Sequence, residues 1–100
     1  MRGIHQESST LAPTGKPRVR LAFENMRDVA GMVGADLTDC VRLVVYTTDM
    51  YRYRPVVNEV QVELWRSDPG RYPPRTIVEV GSLNEDDIVE VEGTFWNPRG

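Results

Sequence analysis

One stretch indicates how the chain is arranged: Tyr72-Pro73-Pro74-Arg75-Thr76-Ile77-Val78-Glu79-Val80. Two consecutive prolines donate no backbone hydrogen bonds and hold φ at about −65°, so they stiffen the approach to Arg75. The alternating β-branched residues that follow are typical of a strand. We therefore predict a strand that begins at Arg75. Its alternation places Arg75, Ile77 and Glu79 on one face, and Thr76, Val78 and Val80 on the other.

A second strand is predicted from the pattern Ile88-Val89-Glu90-Val91-Glu92. Its alternation places Ile88, Glu90 and Glu92 on one face, and Val89, Val91 and Phe95 on the other. If the two strands pair through the polar loop at 82–87, one sheet face is aliphatic. The opposite face then holds a basic and acidic group together: Arg75, Glu79, Glu90 and Glu92.

An arginine beside carboxylates has two interpretations. The first is a solvated sheet face with ordinary salt bridges, which spacing alone favours. The second is a site for a small carboxylate, because guanidinium is a planar fork that matches a carboxylate and a nearby glutamate can move protons. Residue spacing makes the first interpretation the more probable one, but it does not exclude the second.

The preceding residues predict two helices and a strand. Apolar residues at helical spacing predict a helix over 16–33, with Pro17 in its first turn and Gly34 as a left-handed C-terminal cap. An apolar run predicts a central strand over 41–48. A second helix is expected to start near Arg52 to Arg54 and to end near Trp65 or Arg66. A start directly after Asp49 is excluded in this interpretation, because it would leave Pro55 in the helix interior.

The predicted order is helix, strand, helix, strand, strand, which favours an α+β layer with both helices on one face of the sheet. Residues 1–15 lack periodicity and are interpreted as a flexible lead-in before a domain at 16–97. Trp65 is expected to be a packing residue, and Trp96 to cover a core edge or a subunit contact.

Composition restricts the function classes. The chain has 100 residues, which is enough for one small domain, and its net charge of −3 disfavours non-specific nucleic-acid binding. A single cysteine, Cys40, excludes an internal disulfide and a multi-cysteine zinc site, and it is interpreted as a buried hydrophobe. The only histidine, His5, lies in a polar tail without a partner for a triad or a metal site. No apolar run approaches the roughly 18 residues of a membrane span and no signal-peptide core is present, so a cytoplasmic protein is expected.

Several ordered blocks resemble the Rid family, the reactive intermediate (enamine/imine) deaminases also called YjgF-like proteins. The resemblance covers roughly residues 18 to 95 and is carried by 72–80 and Val89-Glu90-Val91-Glu92. Further matching blocks, in the same order, are Glu24-Asn25-Met26, Gly34-Ala35-Asp36-Leu37-Thr38-Asp39, Val44-Val45-Tyr46-Thr47-Thr48-Asp49-Met50, Val57-Asn58-Glu59-Val60 and Leu83. Several ordered blocks are more specific than one short motif.

The resemblance implies a chorismate-mutase-like, two-layer α+β subunit with a mixed sheet, assembled as a homotrimer with sites between subunits. It implies hydrolysis of short 2-imino acids to 2-keto acids and ammonia, without metal or organic cofactor. Arg75 would bind the substrate carboxylate, and Glu90 would act on the attacking water and the departing nitrogen. Neither nucleic acid nor membrane is an expected partner.

The sequence departs from the family pattern in two places. Relatives begin with two or three strands that supply a tyrosine and a Ser-Gly pair to the site, whereas only 15 weakly patterned residues precede the first helix here. The chain is accordingly interpreted as an N-terminally shortened form, which leaves a fragment and a shortened member both open. In addition, Ile77 stands where many deaminases of the family have a cysteine.

Two alternative functions stay open, and the missing strands motivate the first of them. A non-catalytic trimeric protein that binds small carboxylates, or serves as an assembly partner, would keep Arg75 without turnover. The translation-inhibiting ribonuclease role attached to some relatives is less favoured, because RNA cleavage usually uses a basic groove and titrating histidines.

Overall fold

Two α-helices and three strands of the described residues follow one another in the predicted order. The computed structural model describes residues 1–5, 8, 10–66, 70 and 72–97. The elements are α1 (Lys16–Gly31), β1 (Cys40–Thr47), α2 (Met50–Leu64), β2 (Arg75–Glu79) and β3 (Val89–Phe95). Short 3-10 helices lie at Leu37–Asp39 and Asn84–Asp86. The predicted α+β class is confirmed.

The strands form one mixed sheet in the order β2-β1-β3. β1 is parallel to β2 and antiparallel to β3. Both helices pack on one sheet face, where the fully buried side chains of the core meet: Val19 and Phe23 from α1, Val57 and Val60 from α2, and Leu43, Val45, Val89 and Val91 from the sheet. This two-layer arrangement agrees with the prediction that both helices cover the same face.

The expected pairing of β2 with β3 is wrong, because β1 lies between them. The alternation predicted along each strand is confirmed. The prediction that Arg75 and Glu90 share one face of the sheet is wrong. Arg75 pairs with the buried Leu43 and so lies on the helix-covered face. Glu90 pairs with Tyr46, one position out of phase with the buried Val45, and so lies on the bare face. Residue spacing could not give this result, since strand order depends on how α2 crosses over the sheet.

Gly34 ends the first helix as predicted. Its φ of +81° is in the left-handed region that glycine adopts without strain. The Gly34 N–H donates to the Gly31 carbonyl at 3.1 Å, and the Ala35 N–H donates to the Ala30 carbonyl at 3.0 Å. These two bonds satisfy carbonyls that the end of a helix leaves open, in the pattern of a Schellman motif.

The second helix begins earlier than predicted. α2 starts at Met50, and the Asp49 side chain caps it by accepting a hydrogen bond from the Arg52 N–H at 3.0 Å. Pro55 therefore lies inside the helix, where it removes the bond that the Tyr51 carbonyl would accept. Tyr51 is 96% exposed, so solvent can satisfy that carbonyl. The cap and the packing of α2 outweigh the local penalty of proline.

The N-terminal segment, predicted to be a flexible lead-in, contacts α1 through some of its described residues. The Asn25 side-chain amide donates to the Arg2 and Ile4 carbonyls at 2.9 and 2.7 Å. Gly3 lies so close to α1 that a Cβ atom there would stand 2.2 Å from the Arg18 carbonyl oxygen. Close approach thus requires glycine at this position. The proposed division of the chain at residue 16 stays a prediction.

Neither α1 nor α2, nor any other helix within the described ranges, has the length and apolarity of a membrane span.

Candidate functional site

Arg75 is placed at the start of β2 by the diproline before it. The Pro74 carbonyl accepts a hydrogen bond from the Leu43 N–H at 2.9 Å, so the ladder between β1 and β2 begins immediately before Arg75. A proline can accept such a bond although it cannot donate one. Backbone stiffness and the ladder therefore fix the Arg75 Cα at the rim of the sheet.

Two neutral amide oxygens from α2 hold the Arg75 guanidinium. Its Nη1 donates to Asn58 Oδ1 and to Gln61 Oε1, both at 2.7 Å. Asn58 is exposed, whereas Gln61 is only 4% exposed. Both bonds come from the same nitrogen, and Nε and Nη2 make no hydrogen bond with any residue that the structure describes. These two nitrogens form the side of the fork that suits a bidentate carboxylate.

The surroundings of Arg75 leave its positive charge uncompensated. Burial lowers the pKa of the guanidinium, and the positive charge of Arg54 lowers it further. Arginine nevertheless stays protonated at physiological pH. Within the described ranges, no carboxylate forms a salt bridge with Arg75. A half-buried cation of this kind attracts a small anion, because the anion would offset both unfavourable effects.

An aromatic group lies beside the segment that carries Arg75. The ring of Tyr72, just before the diproline, meets Trp65 at a centroid distance of 6.5 Å, and Trp65 meets Phe23 edge-on at 6.2 Å. The indole Nε1 of Trp65 donates to the Leu37 carbonyl at 3.1 Å. Trp65 is thus the predicted packing residue, and it anchors the end of α2 that carries Gln61.

Glu90 lies in a different part of the molecule. Together with Tyr46 and Glu92 it lines a cleft of about 690 Å³ along the outer edge of β3, whose other side is the apolar end of α1 with Met26 and Val29. The Glu90 carboxylate forms no hydrogen bond or salt bridge within the described part of the chain. Burial lowers the pKa of the Met1 ammonium at this cleft, and the charges of Glu90 and Glu92 oppose that shift.

One chain does not bring Arg75 and Glu90 together. Arg75 on β2 pairs with Leu43 of the central strand β1, and Glu90 on β3 pairs with Tyr46 of the same strand. The two residues are therefore separated by two strand spacings across the sheet and by three residues along it. Ideal sheet geometry makes that roughly 14 Å between Cα atoms, with the side chains on opposite faces. The role of Arg75 as a carboxylate-binding residue and its joint action with Glu90 both stay predictions.

Gln61 was missed from sequence, although a signal was available. It lies next to Val57, Val60 and Leu64, apolar residues at helical spacing that pack in or against the core. A polar residue that falls on a buried stripe needs a hydrogen-bond partner. In the structure that partner is Arg75, which lies in the strand that α2 covers.

The remaining candidates take no part in this site. Cys40 is buried at the start of β1, and burial raises the pKa of its thiol, which fits the predicted structural role. His5 is exposed, and its backbone N–H donates to the Thr10 carbonyl at 2.8 Å. Trp96 is 66% exposed. No cluster of three metal-ligating side chains occurs among the residues with described positions.

The sequence matches the model of the family Endoribonuclease L-PSP over residues 3–95. This family is the YjgF/RidA class that the sequence blocks resemble. The chain belongs to this family.

Solved structures of the YjgF/RidA class share the fold described above. A protein from Rhodopseudomonas palustris, described as a "probable translation initiation inhibitor", is 42% identical with a TM-score of 0.93, over 98% of this chain and 74% of that one. RidA from the Antarctic bacterium Psychrobacter sp. is 31% identical with a TM-score of 0.89, over 97% of this chain and 76% of that one.

A curated relative in the same family is named "Putative reactive intermediate deaminase TdcF", from Escherichia coli. It is 28% identical over 75 residues, which are 75% of this chain and 57% of that protein. The matched part of the chain thus spans little more than half the length of this relative. A crystal structure of E. coli TdcF with bound serine has the same fold, with a TM-score of 0.84 at 23% identity over 92% of this chain and 72% of that one.

Proposed function

We propose that this YjgF/RidA-class protein hydrolyses short 2-imino acids to 2-keto acids and ammonia, with Arg75 as the group that binds the substrate carboxylate. The supporting observation is the guanidinium held by two neutral oxygens with Nε and Nη2 available. An acidic partner would neutralise the cation, whereas amide oxygens orient it and leave its charge for a ligand. The TdcF structure holds serine, whose carboxylate is the kind of group that Arg75 would bind.

The chemical step consists of water addition and loss of ammonia. Water adds to the imine carbon, and the carbon–nitrogen bond of the resulting carbinolamine then breaks. Glu90 would take a proton from the attacking water and return one to the departing nitrogen. A protonated imine is already electrophilic, so orientation of the substrate supplies much of the acceleration. In this mechanism the carboxylate bound by Arg75 fixes that orientation.

The proposal includes a site between copies of the chain. Arg75 and Glu90 lie on opposite sheet faces of one chain, so a substrate that contacts both needs Arg75 from one copy and Glu90 from a neighbour. The family resemblance indicates a homotrimer with such inter-subunit sites. The outer side of β3, where Glu90 lies, and the rim of β2 are the surfaces that would meet.

The direct test follows the decay of iminopropanoate generated in situ, with wild type and with Arg75→Ala. We expect wild type to accelerate the decay and Arg75→Ala to lose about 100-fold or more in kcat/KM, because charge-assisted hydrogen bonds to the substrate carboxylate disappear. Mixing Arg75→Ala with Glu90→Gln before assembly should restore part of the activity if the site is shared. Equal decay with wild type and Arg75→Ala would remove Arg75 from the mechanism.

The separation of Arg75 from Glu90 also favours a second candidate, a carboxylate-binding protein without turnover. Arg75 would then bind a keto acid in the same geometry while Glu90 takes no part. Saturable binding of 2-oxobutanoate together with imine decay at the buffer rate would support this candidate and contradict the deaminase.

A further inference from the structure

Gln61 differs from the other partner of Arg75 in how firmly it is held. It is 4% exposed, and it lies one turn before the anchored Trp65 on α2. Asn58, by contrast, is exposed and has more freedom to leave the guanidinium. A buried side chain in a packed helix keeps one rotamer, so the bond from Gln61 is the more constant of the two.

The neutral charge of Gln61 is as important as its position. A glutamate at the same place would form an ion pair with Arg75 and compete with any anionic ligand. An apolar side chain of the same length would leave an Nη1 hydrogen without its acceptor in a half-buried setting. Glutamine alone of these three fixes the orientation of the fork and preserves its full positive charge.

From this geometry we infer that Gln61 is a positioning residue for Arg75: it fixes the guanidinium plane so that Nε and Nη2 face an incoming carboxylate. The inference rests on the proposed function in one respect, because it takes the ligand of Arg75 to be a small carboxylate. Gln61 itself lies behind Arg75 and acts through it, without contact with the ligand.

The first test measures the Kd of 2-oxobutanoate, a stable carboxylate probe, by calorimetry with the full chain. We expect Gln61→Met, of similar shape and without the acceptor, to raise the Kd about tenfold, since a hydrogen bond to a charged group is lost. The matched control is Val57→Ala, a fully buried α2 substitution that shares no hydrogen bond with Arg75. It should lower the urea midpoint and leave the Kd unchanged. If Gln61→Met keeps the wild-type Kd, the inference is overturned.

The second test uses Gln61→Glu, which keeps the shape and the acceptor and adds a titratable charge. At acidic pH the protonated glutamate resembles glutamine, so the Kd should approach that of wild type. As the pH rises and the glutamate ionises, it pairs with Arg75, and the Kd should increase about fivefold or more. A purely structural role for Gln61 predicts no such pH dependence. If the ratio of the Gln61→Glu Kd to the wild-type Kd stays the same at all pH values, the positioning role is contradicted.

A third measurement separates this inference from the proposed function. Nitrogen-15 NMR of the ligand-free protein reports rotation of the Arg75 Nη1 amino group. We expect Gln61→Met to speed this rotation about tenfold relative to wild type, with Val57→Ala unchanged. If wild type neither binds 2-oxobutanoate nor accelerates imine decay, the proposed function fails, and the NMR result still decides the positioning role. If binding depends on Arg75 and both Gln61 variants match wild type, the function stands and the inference fails.

Discussion

Two sites in this molecule hold arginine side chains that are at least partly buried, and they do so with opposite kinds of partner. Around Asp87, Arg2 Nε and Arg18 Nη1 contact the carboxylate at 2.8 and 3.2 Å, and Asp87 is 1% exposed. Around Arg75, the guanidinium donates to amide oxygens from Asn58 and Gln61. Both sites hold an at least partly buried guanidinium. Among the residues with described positions, only the first site supplies it with an opposite charge.

The difference would separate a structural role at Asp87 from the binding role proposed for Arg75. The Asp87 cluster ties the N-terminal segment and α1 to the residues just before β3, and each guanidinium in it contacts a carboxylate. The Arg75 guanidinium is oriented by neutral amide groups, so its positive charge would still attract an anionic ligand. Arginine content alone does not distinguish the two sites, whereas the charge of the partners does.

The largest expected effect is on stability, at the Asp87 cluster. Asp87→Ala should lower the free energy of unfolding by about 3–5 kcal/mol, because the buried Arg18 loses its carboxylate partner and Arg2 keeps only its longer contact with Glu85. Urea unfolding measures this. The matched variant Arg75→Ala should change stability by less than about 1 kcal/mol, since it removes no charge pair. Similar losses for the two variants would erase the distinction between the sites.

The next effect is a pH dependence that only the Asp87 cluster should show. Burial alone would raise the pKa of Asp87, but hydrogen bonds from Arg2, the Ile88 N–H and Arg18 outweigh it and lower the pKa. A lowered carboxyl pKa contributes stability above the unfolded-state value of about 3.9, and this contribution is lost as pH falls through the folded-state pKa. Asp87→Asn should therefore be less stable than wild type by about 2 kcal/mol at pH 7.

This stability gap between wild type and Asp87→Asn should stay constant from pH 7 to 5 and close below about pH 4. Urea midpoints at several pH values measure the gap. A gap that persists unchanged at pH 3 would show that the charge of Asp87 is not what stabilises the cluster.

The smallest expected effect comes from a substitution that gives Arg75 a carboxylate partner, as Arg2 and Arg18 have in Asp87. Asn58→Asp places a carboxylate against Arg75 at an exposed position, so we expect a Kd for 2-oxobutanoate about three- to fivefold higher and little change in stability. The control is Val62→Asp, an equal charge change at an exposed position on the same helix. It should leave the Kd nearly unchanged. Equal effects of the two variants would mean that net charge, and not pairing with Arg75, governs binding.

Local sequence patterns predicted the elements and the position of Arg75 because their causes are local. The left-handed cap at Gly34, the diproline before Arg75 and the alternation of β3 each depend on a few neighbouring residues. The start of α2 was mispredicted, since the Asp49 cap and tertiary packing outweighed Pro55.

The two sites themselves depend on contacts between distant parts of the chain, and sequence spacing does not contain these. β1 lies between β2 and β3, and its register with each of them places Glu90 on the face opposite Arg75. The Asp87 cluster joins residues 85 and 69 positions apart in sequence. Gln61 was a partial exception, because its place on a buried stripe of α2 was itself a signal.

The first residue of the chain has a practical consequence for experiments on the Glu90 cleft. Met1 and Val91 exchange two backbone hydrogen bonds, each donating to the other, which is the pattern of an antiparallel pair. A purification tag fused before Met1 would accordingly begin beside β3, at a residue that lines the cleft. Assays of Glu90 should therefore use protein from which such a tag has been cleaved.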